Sequence, residues 1–180
     1  VPVKLRLKGR TSYQHQAVDK WSVRVKVKGD ATLFRMKRFS LMDPLRRNLM
    51  HTWVFRQALR KEGIISKRYK FVDVSINGTS KGVYALDEYY DKVMLEHNHR
   101  REGPALRFEQ EAIFIEKPQG PPSGWNDFYD KLGIKTFSAK KLASNKELFG
   151  QFQHAANLLQ AFRLGELQTN QVFDIEKLAK

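Results

Sequence analysis

Val3, Leu5 and Leu7 alternate with Lys4, Arg6 and Lys8, and Val23, Val25 and Val27 alternate with Arg24, Lys26 and Lys28. A period of two puts successive side chains on opposite faces, so each segment reads as a strand with one apolar and one cationic face. Val72, Val74 and Ile76 alternate in the same way with Asp73, Ser75 and Asn77. Asn77-Gly78 then supplies two residues that tolerate positive φ, and Gly82 lets the chain re-enter a strand before Val83, Tyr84 and Leu86. The segment from Phe71 therefore reads as a β-hairpin that ends on Asp87-Glu88. Strands are expected near 3–9, 21–28, 38–43, 69–77, 81–88, 105–109 and 112–116, mostly antiparallel because the connections are too short for parallel crossovers.

Helical signals separate and follow these strands. Asp43 suits an N-cap and Pro44 a first helical position, which predicts one helix running to Gly63 with Leu45, Leu49, Trp53 and Leu59 toward the core and Arg46, Arg56 and Arg60 away from it. A second helix is expected over 89–99. A third starts at the capping box Ser144-x-x-Glu147, and its stripe of Leu148, Phe152, Ala155, Leu159 and Phe162 is spaced to face a core or a lobe interface before Gly165. Asp174 caps a further helix. Between them Lys117-Pro-Gln-Gly-Pro-Pro-Ser-Gly124 is turn-rich. The expected organisation is a β-rich part over 1–117, a connection over 118–137 and a helical part over 138–180. This is an α+β fold with helices packed on a mainly antiparallel sheet. No internal repeat is visible.

Charge changes the picture more than composition does. Residues 1–70 hold 19 Lys and Arg against 4 Asp and Glu, whereas residues 71–180 hold 14 against 15, so all of the formal +14 lies in the first part. If the two basic strands pair, six cations share one sheet surface, and like charges directly opposite each other are destabilising unless an anion intervenes. Candidate anions are a nucleotide triphosphate, nucleic acid, an acidic protein or an acidic portion of a longer chain. The plain alternative is that the long side chains fan out into water and serve solubility. The chain has no cysteine, which excludes disulfides, thiolate metal sites and a Cys nucleophile. No apolar run reaches membrane-spanning length, so no membrane partner is expected.

The hairpin also resembles the spore coat protein H (CotH) kinase family. Its pattern of an apolar strand, Asn-Gly, and Gly-x-Tyr-x-Leu followed by an acid is matched from Val74 to Glu88. Leu5-Arg-Leu-Lys-Gly9 with Thr11-Ser12, Lys20-Trp-Ser-Val-Arg-Val25 and Asp43-Pro-Leu-Arg-Arg-Asn-Leu49 lie in the family's order. Phe173-Asp-Ile-Glu-Lys-Leu178 resembles the start of a later family helix. The resemblance implies an atypical protein-kinase-like fold with a β-rich N-lobe and a helical C-lobe. It also implies phosphoryl transfer from ATP, with Mg or Mn, to Ser residues of proteins in a bacterial setting such as the spore coat or envelope. On that comparison this chain carries the N-lobe and the opening of the C-lobe, the remaining C-lobe of a parent chain being a partner.

Phosphoryl transfer needs positive charge at the phosphates, carboxylates for the metal and an acid near the attacking hydroxyl. By position in the resemblance, Lys20 is the candidate phosphate-contacting lysine and Glu88 the acid that would hold its ammonium, with Arg6 and Arg24 adding charge to the pocket. The Thr11-to-Asp19 loop is a candidate nucleotide cover, though it lacks the glycines of a phosphate loop. Arg47-Asn48 matches a family pair. The family's catalytic and metal-binding aspartates fall beyond Asp174, so no catalytic residue and no metal ligand is assigned, and the chain is expected to be a kinase fragment that is itself inactive for lack of them. Asp87 and Asp91 are read as a strand-end acid and a helix surface acid. His97-x-His99 reads as a solvated pair, and Trp125, Phe128 and Tyr129 as anchors of the connection. The alternative function is a non-catalytic module that binds polyanions or serves as a structural coat-type interaction domain.

Overall fold

The computed structural model describes residues 1–8, 20–109, 132–137 and 139–180, without the side chains of Arg46 and Arg47. The chain divides into two compact units, Val1–Arg101 and Glu102–Lys180. The Thr11-to-Asp19 loop, the strand expected at 112–116, the aromatic trio at 125–129 and most of the 118–137 connection lie outside the described residues.

The first unit is built on a five-stranded sheet in the order β1-β2-β3-β5-β4. The strands are β1 (Val3–Leu7), β2 (Val23–Val27), β3 (Arg38–Met42), β4 (Tyr69–Ile76) and β5 (Thr79–Glu88). Every neighbouring pair is antiparallel. The sequence patterns thus give the strands they predict, within two residues at the ends. One face packs Val25, Val27, Phe39 and Leu86 with Met36 from the turn before β3. The other packs Met42, Tyr69 and Ala85 against Trp53 and Phe71.

The helix expected from Pro44 to Gly63 is broken. Asp43 does accept from the Leu45 N–H at 3.2 Å, but Pro44–Arg47 forms only a 3-10 turn. Asn48 and Leu49 follow with φ of 50° and 51°, left-handed values that no α-helix accommodates. The chain then restarts as α1 (His51–Lys61), and Gly63 at φ +69° lies just beyond its end as the sequence indicates. This break turns Leu45 and Leu49 outward, 69% and 52% exposed, where core positions were expected. Trp53 keeps its place against the sheet and Leu59 is half-buried. Arg56 is half-buried rather than exposed, and its carbonyl accepts from Ser66 Oγ at 3.2 Å. The second helix, α2 (Lys92–His97), is shorter than its 89–99 estimate because Asp91 caps it by accepting from the Met94 N–H.

In the second unit β6 (Leu106–Phe108) pairs with β7 (Ile134–Thr136), a three-residue strand too short to leave a periodic signal. The short helix α3 (Ala139–Ala143) leads into α4 (Lys146–Arg163). The N-cap is Asn145, which accepts from the Leu148 N–H at 3.1 Å, and not Ser144, whose hydroxyl donates to the Lys141 carbonyl. The stripe Leu148, Phe152, Ala155, Leu159 and Phe162 is partly buried throughout, and Phe162 meets Phe173 edge-on at 5.2 Å. After α5 (Thr169–Val172), Asp174 caps α6 (Ile175–Leu178), as its position suggests. The molecule is α+β with a mainly antiparallel sheet. No helix among the described residues is long and apolar enough to cross a membrane.

Candidate functional site

Asp87 and Glu88 close β5, and being adjacent in a strand they point to opposite faces. Each meets a cation from the segment that leads into β4. Glu88 Oε2 accepts from the Arg68 backbone N–H at 2.9 Å and from Arg68 Nε at 3.0 Å, while Oε1 takes the Arg68 Nη2 group. Glu88 is only 2% exposed, and this two-point geometry is what makes a buried carboxylate tolerable. The same guanidinium donates onward to the carbonyl of Arg35 at 3.0 Å and to that of Phe34 at 3.5 Å. Phe34 and Arg35 have φ of 52° and 59°, a strained turn conformation for L-residues that costs about 1 kcal/mol or more apiece. Arg68 therefore ties a strained turn to the end of the hairpin.

On the other face Asp87 Oδ2 accepts from Lys67 Nζ at 2.7 Å, and that ammonium lies 5.1 Å from the centre of the Tyr90 ring. Asp87 Oδ1 is buried without a hydrogen bond, and Ser40 is directly opposite Asp87 in the register. Ser40 is in turn opposite Arg24, and Arg24 opposite Arg6, so Arg6, Arg24, Ser40 and Asp87 form one row across four strands. The neighbouring row pairs Lys4 with Lys26 and Lys26 with Arg38. The opposition of like charges foreseen in the two basic strands is thus real. Arg38 is neutralised by Asp91 at 3.1 Å and lies 4.4 Å from the centre of the Tyr89 ring. Arg24 has that ring at 5.3 Å as well, yet its Nε is buried with no hydrogen bond. Among the described residues no carboxylate pairs with Lys4, Arg6, Arg24 or Lys26.

Lys20 stands elsewhere. Its Nζ donates to the Val83 carbonyl at 3.2 Å and lies 5.6 Å from the centre of the Tyr84 ring. Val83 is five positions from Glu88 along β5, roughly 16 Å. The expected Lys20–Glu88 pair is not formed, because Arg68 comes into register with Glu88 first. Lys20 instead borders a cavity of about 430 Å³ with apolar walls that include Leu49, Met50, Phe71 and Val83. The Tyr84 hydroxyl has its pKa raised, first by burial and then by the Asp43 carboxylate. His97 has its pKa lowered by partial burial and then by Arg68, against an opposing pull from Glu88, with Arg60 and His99 lowering it further.

Asp91 is no free helix surface acid, since it caps α2 and pairs with Arg38. Asn48 of the Arg47-Asn48 pair caps the 3-10 turn. Sequence reasoning missed Lys67, Arg68, Ser40 and Tyr89. A signal existed in the doublets Lys67-Arg68 and Asp87-Glu88, which flank the hairpin at nearly equal distances from Asn77-Gly78. A plain two-residue turn would set Arg68 against Asp87. The irregularity between Asp73 and Ser75 shifts the register by one, so that Tyr69 lies opposite Asp87.

A family model described as CotH kinase protein matches residues 5–177. The chain belongs to the CotH kinase family. No curated protein matches it. Family membership brings a nucleotide and a divalent metal into consideration, and the two fit the described residues differently. The cationic rows, with the unpartnered Arg24 Nε, have the chemistry that phosphate oxygens require. No group of three or more His, Asp or Glu side chains suited to a metal converges among the described residues, so no step is assigned to the metal.

Proposed function

We propose that this CotH-family chain holds the phosphates of a nucleotide on the cationic face of its sheet, for phosphoryl transfer to serine residues of a protein. Arg6 and Arg24 are the phosphate-holding residues, Lys20 borders the adjoining apolar cavity, and Glu88 acts by fixing Arg68. The carrying observation is the direct opposition of Arg6 and Arg24, with a buried Arg24 Nε that no protein group accepts from. Two arginines at directly opposed strand positions are stabilised by an anion between them, and a polyphosphate supplies several acceptor oxygens at once. The Asp87 carboxylate stays committed to Lys67 through one oxygen.

The test is thermal unfolding with ATP and Mg or Mn, because a ligand that binds only the folded state must raise Tm. A rise in the parent that disappears in Arg6→Ala/Arg24→Ala supports the reading. A rise that survives the double change overturns the placement.

The open array of Lys4, Arg6, Arg24 and Lys26 also favours a second reading, a surface for polyanions without catalysis. Heparin and single-stranded nucleic acid at two salt concentrations separate the two. Polyanion binding weakens steeply with salt and is not displaced by stoichiometric ATP if the second reading is right.

A further inference from the structure

β1 forms one edge of the five-stranded sheet and β4 the other. Beside the first residues of β4 lies a second cavity, of about 500 Å³, within the range of ligand sites. Its charged lining is Arg35, Arg60, Arg68 and Lys70, and no Asp or Glu lines it. Arg68 is already committed to Glu88 and to the turn carbonyls. The other three are not so engaged. Arg60 reaches only Gln57 at 3.5 Å, and the side chains of Arg35 and Lys70 make no hydrogen bond or ion pair. Phe34 and Trp53 add apolar walls. The strained Phe34-Arg35 turn that Arg68 secures is what carries Arg35 to the rim.

We infer that this cavity binds a phosphoryl group borne on a protein side chain, with Arg35, Arg60 and Lys70 serving the phosphate and Phe34 and Trp53 the adjoining chain. Three cations without an acid suit a dianion better than a single carboxylate, and guanidinium pairs two oxygens of a phosphate at once. A phosphate on a polypeptide leaves apolar neighbours to cover the aromatic walls, which free phosphate does not. The choice of a protein as the carrier rests on the kinase reading above, whose product is a phosphoserine. The cavity's own chemistry does not rest on it. His97 lines the same space and is held below its ordinary pKa partly by Arg68 and Arg60, so a bound dianion raises it.

The test uses the full chain and a fluorescently labelled peptide with one phosphoserine followed by phenylalanine, read by anisotropy. The unphosphorylated peptide, inorganic phosphate and ATP serve as competitors. The expected result is binding that needs the phosphate, falls by about tenfold or more in R60E/K70E, and is accompanied by an upward shift of the His97 titration. R35G gives a second variant, since glycine accepts the positive φ of that turn while removing the charge, and an unchanged Tm beside lost binding assigns the loss to the charge. Equal affinity for both peptides, or no loss in either variant, overturns the proposal. Complete displacement by stoichiometric ATP overturns the assignment to a protein-borne phosphate. Absence of an ATP effect on Tm with phosphopeptide binding intact refutes the nucleotide reading alone.

Discussion

Arg68, just ahead of β4, makes three hydrogen bonds to the Glu88 carboxylate at the end of β5, two from the guanidinium and one from its backbone N–H, in a site almost closed to water. Removing one member of such a pair leaves the other charge buried and uncompensated, at about 3–5 kcal/mol. Glu88→Ala should lower the free energy of unfolding by that amount in urea titration. Arg68→Met/Glu88→Leu should recover most of it, because the cost lies in the stranded charge. A double variant no better than the single would show that the pair itself supplies the stability.

Arg6 opposite Arg24 predicts the reverse sign at the other side of the sheet. Arg6 is exposed on the edge strand β1, so its removal deletes repulsion and little packing. Arg6→Thr should raise stability by about 0.2–1 kcal/mol at low salt, and the gain should shrink as salt screens the parent. Chemical denaturation at two ionic strengths measures both. A loss of stability in Arg6→Thr would mean that the guanidiniums already share an acceptor.

His97 supplies a pH dependence with a definite sign. Its folded pKa lies below the ordinary value near 6.5, so the unfolded chain binds the proton more readily. Its contribution is therefore constant above about pH 6.5, and stability is lost as pH falls from there toward the folded value. Titration by NMR should place His97 below the ordinary value near 6.5. Glu88→Gln should lower it further by removing the one neighbour that raises it, and an upward move would contradict the stated order of causes.

The strands were legible because period-two alternation survives in any sheet that buries one face, and Val23, Val25 and Val27 show it plainly. The pairing of the basic strands followed from the same pattern. The break at Asn48-Leu49 was not legible. Leu49 is an ordinary helix former, and only its place between a 3-10 turn and α1 forces a positive φ on it. The ends of the elements misled in a related way, as with Asn145 taking the cap from Ser144, since neighbouring residues offer equivalent oxygens. The site was half legible. Glu88 was found through its family motif, but its partner is set by a one-residue register shift that no periodicity reports.

Gly82 is the residue on which that shift turns. Ser75 lies opposite Ser80 and Asp73 opposite Val83, so β5 carries one more residue than β4 between those pairs. Gly82 falls in that interval with φ +69°, the left-handed geometry that a bulge of this kind requires. The nearest atom to an added Cβ is Lys20 Nζ at 4.0 Å, so space is not what excludes a side chain. Gly82→Ala should therefore cost about 1–2 kcal/mol through backbone strain alone. Deleting Gly82 should have a different effect, since it removes the extra residue of β5 and leaves a regular hairpin in which Tyr69 still lies opposite Asp87 and Arg68 still meets Glu88. The strain of the bulge is then removed while the two-point contact of Arg68 with Glu88 is kept. Amide exchange at Arg68, whose N–H is bonded to Glu88, reports the pairing directly. Protection there should persist in both Gly82→Ala and the deletion, and its loss in the deletion would show that the bulge itself is needed for the pairing.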